Sequence, residues 1–413
     1  PFATSVGQRP TALVQYQHND DSLRTVIGTT VAWWRYNAAT NAWVDITGGT
    51  ALTASATQQQ VFRTFSKAGQ TWLLGCNDKD PPKKWDGVAA AYVNIGGSPS
   101  IARCMMIVPE SVLLGNLTTG GVHNPLAIDV SALSDFDSGW GSVLVKVLGE
   151  VPAGEIVAMQ ELGFLQGAIY TQEAIALAIA QDGLVPFRFD FRRDLKGPVA
   201  TQAIAPMTPD AIHAYLATDS AVYVFDGTVP RSLGAHIQRQ IDRTITPDRL
   251  ERSWVAWDPS QQMLWVVYTA VGGSEPSRGV VITMPDTNCY PVRWSGYQPT
   301  CGRYISIPSG LTIGDLNVPI GDISSTLGEM DTVVPRFVVG NITGQCAADS
   351  GLADGASTAI PAYAETGLMP VGENFVTITE AEHLFHKSGG SQKVRVRFGS
   401  SDYGEDRVLE PDA

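Results

Sequence analysis

The sequence has few cysteines, no long apolar run and a shortage of basic residues. The five cysteines are odd in number, are scattered and form no CxxC pair, which argues against a disulfide framework. They are Cys76, Cys104, Cys289, Cys301 and Cys346. We expect reduced thiols and synthesis in the cytoplasm, because no secretory leader opens the sequence. The most apolar stretch, from Ala174 to Ala180, is too short for a membrane span.

Nucleotide-binding and hydrolase motifs are also absent. The sequence contains no GxxxxGK[ST] loop, no GxGxxG between a strand and a helix, and no GxSxG elbow. Lys and Arg number 28 against 41 Asp and Glu, which gives a formal net charge of -13. This balance argues against a protein that binds nucleic acid freely, although it does not fix the charge of any one face.

What the sequence does contain is many short strands separated by turns. Its 413 residues can bury a large core, and its 41 Gly and 25 Pro suit many tight turns. From Trp254 to Gly296, short runs rich in β-branched and aromatic residues are separated by turns such as Asp258-Pro259-Ser260. This pattern is typical of one β-propeller blade. A blade cannot bury its faces alone, so the segment predicts neighbouring copies.

Weaker versions of the blade recur along the chain. They extend over 25–47, 61–95, 105–128, 156–179 and 212–233. With the clearest copy they make about six repeats, spaced by roughly 40 to 50 residues as in known propellers. We therefore predict an all-β fold, with a β-propeller of about six blades over residues 1–340 and irregular insertions near 233–253 and 309–335. Residues 341–413 are predicted to be a small β-rich extension that closes the propeller or forms a small β-sandwich.

One group of acidic and histidine residues has the composition of a metal site. Its members are Glu380, Glu382, His383 and His386. A zinc protease needs HExxH, which places both histidines on one helical face, and the His-Leu-Phe-His spacing here is one residue too short. The group is therefore better interpreted as a polar loop or short helix between two strands.

Asp135 and Asp137 form a second candidate, a DxD pair. The pair resembles the Asp-box of sialidase-like propellers, but the order of its residues differs from that motif. It also resembles the start of a calcium loop, which would need further oxygen ligands where Ser138 and Gly139 stand. We interpret this segment as a surface turn and predict no metal site.

Catalytic carboxylates and aromatic platforms cannot be selected from the sequence. A propeller glycosidase needs two carboxylates on a concave face, and 41 acidic residues allow many pairs. No Ser/His/Asp or Cys/His arrangement stands out. The ten tryptophans lie near blade ends, where they are packing anchors or, alternatively, a carbohydrate platform. We predict no enzymatic activity and no cofactor, and keep a glycosidase or a carbohydrate- or protein-binding propeller as alternatives.

Charge is distributed unevenly in the second half of the chain. From Arg188 to Arg252 there are nine basic and eight acidic residues. From Ser253 to His386 there are four basic and thirteen acidic residues. Two solvated faces would explain this, as would complementary patches between the subunits of a ring, since Arg suits interfacial ion pairs. The candidate interface residues are Arg239, Arg243, Arg249 and Arg252. The acidic segment 309–335 is a candidate channel or gate loop, because acidic side chains would let DNA pass without binding. Its candidate residues are Asp315, Asp322, Glu329 and Asp331.

The order of several motifs resembles that in tail propellers of short-tailed bacteriophages. Arg231-Ser232-Leu233-Gly234 is followed by the Arg-containing insertion and then by Trp254-Val255-Ala256-Trp257-Asp258-Pro259. The series continues with Met263-Leu264-Trp265-Val266-Val267-Tyr268, Val280-Val281-Ile282 and Arg293-Trp294-Ser295. Trp85-Asp86-Gly87 and Glu365-Thr366-Gly367 fit the same series. Over most of its length the sequence resembles the tail nozzle, or head-to-tail DNA-stabilisation protein, of podovirus-like phages.

This resemblance implies a structural role in the virion tail, with no active site. Members of that family form a ring, usually of six copies, below the portal and its adaptor ring. They extend the channel for double-stranded DNA, help to retain the packaged genome and carry tail fibres or a needle. The resemblance therefore implies a hexameric homo-oligomer that meets DNA without sequence-specific binding and has no membrane span.

Overall fold

The computed structural model describes most of the first 348 residues and four short strands beyond them. The described residues are 5–143, 154–181, 187–192, 195–208, 212–294, 296–308, 333–348, 353–354, 358–359, 394–398 and 405–409. Contacts between Cα atoms divide the chain into two compact units, Pro1–Asp349 and Ser350–Ala413. The domain boundary predicted from the sequence, after residue 340, falls inside a strand of the first unit.

The first unit is built from small antiparallel sheets, and the fold is all-β. Sheet 1 contains β1 (Pro10–Gln17), β2 (Leu23–Thr29), β3 (Trp33–Asn37) and β4 (Ala42–Asp45). Sheet 2 contains β5 (Val61–Lys67), β6 (Gln70–Cys76), β7 (Lys83–Trp85) and β8 (Val93–Asn94). Sheet 3 contains β9 (Ile101–Val108), β10 (Ser111–Thr119), β11 (Val122–Val130) and β12 (Gly141–Val143).

The next three sheets have the same arrangement. Sheet 4 contains β13 (Ile156–Glu161), β14 (Gln166–Thr171), β15 (Ile175–Ala180) and β16 (Phe187–Arg192). Sheet 5 contains β17 (Ile204–Thr208), β18 (Ile212–Leu216), β19 (Val222–Phe225) and β20 (Arg231–Ser232). Sheet 6 contains β21 (Trp254–Asp258), β22 (Met263–Thr269), β23 (Pro276–Thr283) and β24 (Cys289–Arg293). In sheets 1 to 6 the strands lie side by side in chain order.

Sheet 7 has three described strands. They are β25 (Pro299–Pro308), β26 (Val333–Asn341) and β27 (Cys346–Ala348). β25 pairs with β26 from Pro308 opposite Val333 to Pro299 opposite Asn341. The residues that join these two strands, 309–332, lie outside the described residues.

The first strand of sheet 1, β1, is buried on both faces. In β1, Ala12, Val14 and Tyr16 pack with sheet 2, whereas the intervening Leu13 packs with sheet 7. Successive side chains of a strand point to opposite faces, so a strand between two neighbouring sheets needs apolar residues at nearly every position. This requirement explains the continuous apolar run from Ala12 to Val14 in β1.

Seven apolar clusters connect the sheets of the first unit, and each draws its strand residues from two sheets. Six of these clusters join consecutive sheets, from sheets 1 and 2 through sheets 6 and 7. The seventh joins sheet 7 to sheet 1 and includes Leu13, Ile27, Cys301, Ile305 and Val338. Every sheet of the first unit therefore shares buried side chains with two others.

A helical insertion separates sheets 5 and 6. It consists of α1 (Ala235–Asp242) and a 3-10 helix (Pro247–Arg252). Ile237 and Ile241 of α1 are fully buried in the cluster between the two sheets. The insertion predicted near 233–253 is therefore present and anchored by its apolar face. No helix of the described residues is long and apolar enough to cross a membrane.

The fold differs from the sequence prediction at two places. The six predicted repeats correspond to sheets 1 to 6. The sequence also predicts a strand at 335–340, which lies within β26, but it does not predict a seventh sheet, because 309–335 was assigned to a loop. β26 begins at Val333, inside that range, and the remainder of the range lies outside the described residues. β1 was also missed, since its apolar run has no tryptophan and follows no turn as clear as those of sheet 6.

The second unit contains two short hairpins among its described residues. Their strands are β28 (Ala353–Asp354), β29 (Thr358–Ala359), β30 (Val394–Phe398) and β31 (Glu405–Leu409). Within the β-rich extension, the sequence predicts strands at 375–378 and 394–398 from their alternating runs, and β30 has the bounds of the second. Residues 375–378 and the group of Glu380, Glu382, His383 and His386 lie outside the described residues.

Candidate functional site

First strands of six sheets line a cavity of about 450 Å³. We call it the inter-sheet cavity. Its walls come from β1, β5, β9, β13, β17 and β25, together with the segment that precedes β17. Three charged residues line it: Arg63, Glu161 and Arg303. The rest of the lining combines amide and hydroxyl side chains with apolar ones such as Phe62 and Ile107.

Arg63 and Glu161 form an ion pair in this cavity. Nε of Arg63 lies 2.9 Å from Oε1 of Glu161. One terminal nitrogen of Arg63 also donates to the backbone oxygen of Met159 at 2.8 Å and to Oε1 of Gln160 at 2.7 Å. Glu161 in turn accepts a 2.9 Å hydrogen bond from the backbone N–H of Ile107. The pair therefore ties β5 of sheet 2 to β9 of sheet 3 and β13 of sheet 4.

Gln15 joins sheets 1 and 7 in a similar way. Its side-chain amide donates to the backbone oxygen of Ser306 at 2.6 Å and accepts from the backbone N–H of Ser306 at 2.7 Å. A strand edge that faces a cavity leaves backbone groups without a ladder partner, and these must be satisfied by other groups. The Gln15 amide supplies both complementary groups at this point of β25.

Arg303 is the third charged residue of the inter-sheet cavity and lies on β25. It makes no hydrogen bond or ion pair with any described residue. Its side chain is exposed where it faces the cavity, although the surrounding strands partly desolvate it. This desolvation, followed by repulsion from Arg63, lowers the pKa of Arg303, while Glu161 acts in the opposite direction.

A segment before β17 connects several sheets near the cavity. The backbone N–H of Gln202 donates to Oε1 of Gln59 at 2.9 Å, and the Gln202 amide donates to the backbone oxygen of Gln60. The Thr201 hydroxyl donates to the backbone oxygen of Val157 at 3.0 Å. The carbonyl of Gln202 accepts from Val255 at 2.8 Å. Thr201 and Gln202 are therefore hydrogen-bonded to residues of sheets 4 and 6 and to the segment that leads into sheet 2.

A buried histidine lies beside the cavity wall. Nε2 of His213 is 2.7 Å from the backbone oxygen of Glu161, which can only accept, so Nε2 carries the proton. Nδ1 then accepts from the hydroxyl of Tyr170, at 2.7 Å. Desolvation by burial lowers the pKa of His213 to about 4. His213 is therefore a neutral structural residue at neutral pH.

The predicted interface arginines fall into two groups. Arg239 and Arg243, in and just after α1, and Arg249 in the 3-10 helix are exposed and have no ion-pair partner among the described residues. Arg252 instead pairs with Glu275, which also binds Arg9. Arg252 thus holds the insertion to the loop between β22 and β23. The candidate gate residues Asp315, Asp322, Glu329 and Asp331 lie outside the described residues.

The DxD pair is engaged by lysines of sheet 2. Asp137 binds Nζ of Lys84 with both carboxylate oxygens at 2.7 Å. A hydrogen bond from Lys67, with others from the Asp137 N–H and the Ser138 hydroxyl, lowers the pKa of Asp135 to about 2. No group of three His, Cys, Asp or Glu side chains is placed to hold a metal ion in the part of the chain that the structure describes. The surface-turn interpretation of this segment agrees with these contacts.

Tryptophans and cysteines serve packing in the described structure. Trp33, Trp85 and Trp254 are almost completely buried. Trp265 stacks on Phe337 with ring centroids 4.9 Å apart, which connects sheets 6 and 7. All five cysteines are free thiols, four of them buried. Burial raises the pKa of Cys104 to about 12, so this thiol is poorly reactive.

Comparison with known proteins identifies no family. No protein-family model matches the sequence, and no curated protein matches it. Among solved structures, one similar chain is PorZ of Porphyromonas gingivalis, described as an essential bacterial surface component of the type-IX secretion system. The two share 9% sequence identity with a TM-score of 0.43. The alignment covers 87% of this chain and 39% of PorZ, so the chain spans well under half the length of that protein.

Proposed function

We propose that the first unit is a seven-bladed β-propeller. Three observations support this: sheets 1 to 6 are four-stranded meanders, each sheet shares apolar clusters with two others, and sheet 7 packs with sheet 1. Four-stranded antiparallel sheets arranged around a central channel are typical of propellers, which have four to eight blades. In this arrangement the first strands are innermost, and the inter-sheet cavity occupies the central channel.

We further propose that the protein is a structural component of a short-tailed bacteriophage tail, in a nozzle or tail-tube ring. The motif series around sheets 5 and 6 supports this proposal. In it, six copies form a ring that binds the adaptor ring and fibre or needle proteins, and helps to retain the packaged DNA. The protein then belongs to the virion and has no enzymatic activity.

The observation that carries the oligomer proposal is the surface of the helical insertion. Arg239, Arg243 and Arg249 are exposed there without a described partner. The insertion itself is fixed by buried Ile237 and by the pair between Arg252 and Glu275. Arginines fixed on a rigid element suit ion pairs across an interface better than arginines on a mobile loop do.

The cavity also limits where DNA could run. Its volume of about 450 Å³ suits a small molecule, not a duplex. Gln202 and Thr201 further cross-link several sheets beside it. In the proposed assembly the DNA channel therefore lies between copies of the chain and not through any single copy.

The glycosidase alternative has less support from the same cavity. Glycoside hydrolysis generally uses two carboxylates that flank the scissile bond. Glu161 is the one carboxylate among the described residues of the cavity lining, and it is paired with Arg63. Binding of a small molecule or protein, without turnover, is the alternative that this lining favours.

The ring proposal can be tested by co-expression with the portal and adaptor proteins encoded in the same genome. We expect a six-copy ring on the adaptor in electron micrographs. The triple variant Arg239→Glu, Arg243→Glu, Arg249→Glu should abolish or strongly reduce the ring while leaving the unfolding midpoint within a few degrees. The matched control changes three exposed basic residues of other surfaces: Arg188→Glu, Lys196→Glu and Arg336→Glu.

The control variant has the same net charge change, so a ring defect in both variants would indicate general charge repulsion. Assembly of the first triple variant at the wild-type level would contradict the role of the insertion. A wild-type chain that stays monomeric with the adaptor present, or a genome without portal and adaptor genes, would contradict the tail proposal itself.

A further inference from the structure

Arg303 differs from several other cations of the first unit, which have carboxylate partners. Arg63 is paired with Glu161, Arg103 with Glu155 at 2.8 Å, and Lys84 with Asp137 at 2.7 Å. Arg303 has no such partner among the described residues, and its side chain is exposed where it faces the inter-sheet cavity. A guanidinium that faces a cavity without a carboxylate partner keeps its N–H donors available for an added anion.

The carboxylate of Glu161, which lines the same cavity, is engaged by residues other than Arg303. Oε1 of Glu161 forms the ion pair with the Arg63 guanidinium and accepts a hydrogen bond from the Ile107 N–H. Its Oε2 accepts from the side-chain amide of Gln160 at 3.1 Å. Glu161 is therefore engaged by these three residues and makes no hydrogen bond or ion pair with Arg303, so the guanidinium of Arg303 keeps its donors for another group.

Charge and shape specify the class of that group. The lining carries two guanidinium groups and one carboxylate, which leaves one net positive charge. A guanidinium remains protonated and presents two parallel N–H groups that match the two oxygens of a carboxylate. Apolar lining residues, including Val14, Phe62 and Ile107, can contact a short hydrocarbon chain. The volume of about 450 Å³ lies within the range of small-molecule sites.

We propose that the inter-sheet cavity binds one small organic monocarboxylate, held by its carboxylate on the guanidinium of Arg303. The apolar part of the acid lies against the first strands. This ligand site is independent of the tail assembly, because its residues are on β1, β5, β9 and β25 and not on the helical insertion.

The test is calorimetric titration of the purified chain with butyrate, hexanoate and benzoate. We expect saturable binding with one site per chain for at least one of these acids. The matching neutral amide of that acid should bind at least tenfold more weakly. Arg303→Gln should weaken the acid at least tenfold, whereas Arg336→Gln, on the adjacent strand β26 and also exposed, should leave it unchanged.

Folding of the variants is checked by thermal unfolding. Since Arg303 has no described partner, Arg303→Gln should unfold within a few degrees of the wild type. If it does not fold, Arg303→Lys keeps the charge without the planar pair of donors, and its affinity should fall severalfold. In addition, crystals soaked in 4-bromobenzoate should show the bromine anomalous peak inside the cavity.

Several results would overturn the proposal. These are no saturable binding of any of the three acids, equal affinity for acid and amide, unchanged affinity in the Arg303 variants, or a bromine peak elsewhere. Tighter binding of inorganic phosphate or chloride than of every carboxylate would also overturn it, since the site would then be a simple anion site. None of these results bears on ring assembly, which is measured separately.

Discussion

Nε of Arg63 lies 2.9 Å from Oε1 of Glu161, and this contact joins sheet 2 to sheet 4 past the intervening sheet 3. Both side chains are mostly shielded from solvent, with exposed fractions of 18% and 20%. Replacing only one residue of such an ion pair lowers stability, because the remaining charge has no partner and is still largely shielded from solvent.

We therefore expect Glu161→Gln to lower the free energy of unfolding by about 1–3 kcal/mol. The double variant Arg63→Met, Glu161→Met should lose less than the sum of the two single variants. Urea unfolding of the wild type, Arg63→Met, Glu161→Met and the double variant gives the coupling energy. The exposed pair of Arg231 and Asp226, with nitrogen and oxygen 3.5 Å apart, is the control and should show a coupling near zero. Equal coupling in the two pairs would contradict this account.

His213 should make the protein less stable in mild acid. Burial lowers its pKa from the ordinary value of 6.5 to about 4, so the unfolded chain binds a proton more readily than the folded one. Its stabilising contribution is complete above pH 6.5 and is lost as the pH falls from 6.5 to 4, by up to about 3 kcal/mol. Urea unfolding between pH 7 and 4 measures this slope.

The slope over that pH range should be reduced in His213→Gln and retained in His236→Gln, since His236 is exposed. The comparison concerns slopes, because His213→Gln also removes hydrogen bonds to Tyr170 and Glu161 and will lower stability at every pH. A slope that is the same in His213→Gln as in the wild type would show that other groups cause the acid sensitivity.

Gly75 is expected to be intolerant of any side chain. A Cβ at this position of β6 would lie 2.4 Å from the ring of Trp33, which is fully buried and wedged against Phe62 and Tyr92. We expect Gly75→Ala to cost about 1–3 kcal/mol of unfolding free energy, by overpacking. Differential scanning calorimetry measures the effect.

Two other glycines are controls for this overpacking. At Gly115 the Cβ would meet the thioether of Met159, a flexible side chain, so Gly115→Ala should cost less than Gly75→Ala. At Gly49 it would meet nothing within 4 Å, so Gly49→Ala should change little. A larger loss at Gly115 than at Gly75 would show that the tryptophan can move aside.

Gln15→Ala should loosen the contact between sheets 1 and 7. It removes both hydrogen bonds to the backbone of Ser306 and leaves the N–H and C=O of that residue without these partners. We expect a loss of about 1–3 kcal/mol in unfolding free energy and faster amide hydrogen exchange at Ser306. Gln17→Ala, which removes an exposed contact with Asp21, is the control. Unchanged exchange at Ser306 in Gln15→Ala would be the contrary outcome.

Much of the fold was predictable from local sequence signals. Sheet 6 was found from its aromatic runs and the turn at Asp258-Pro259-Ser260, where the Asp258 side chain accepts from the Ser260 N–H at 2.9 Å. Such turns are short-range features, so a sequence displays them directly. The strand at 335–340 was predicted, but sheet 7 was not recognised as a sheet, because β25 and β26 are separated by a long segment and the repeat spacing fails there.

The candidate site was much less predictable. Arg63 and Glu161 are far apart in sequence, and the partner of a charge depends on the packing of whole sheets. Arg303 entered the sequence analysis only as one of four basic residues in an acidic half. One signal was available: Arg63, Glu161 and Arg303 are charged residues within first strands that also contain apolar runs, such as the run from Ile156 to Met159 before Glu161. A charge that interrupts such a run has to face a cavity or a partner.

The cluster shared by sheets 7 and 1 has a consequence for synthesis of the chain. Leu13, Ile27 and Trp43 are made early, but their partners Cys301, Ile305 and Val338 are made near the end of the first unit. At ribosomal rates this delay is on the order of tens of seconds. During that time the face of sheet 1 that later packs against sheet 7 is an exposed apolar surface on the nascent chain. Chaperone occupancy of these early residues, and aggregation when translation stalls before residue 299, follow from the order in which the sheets are made.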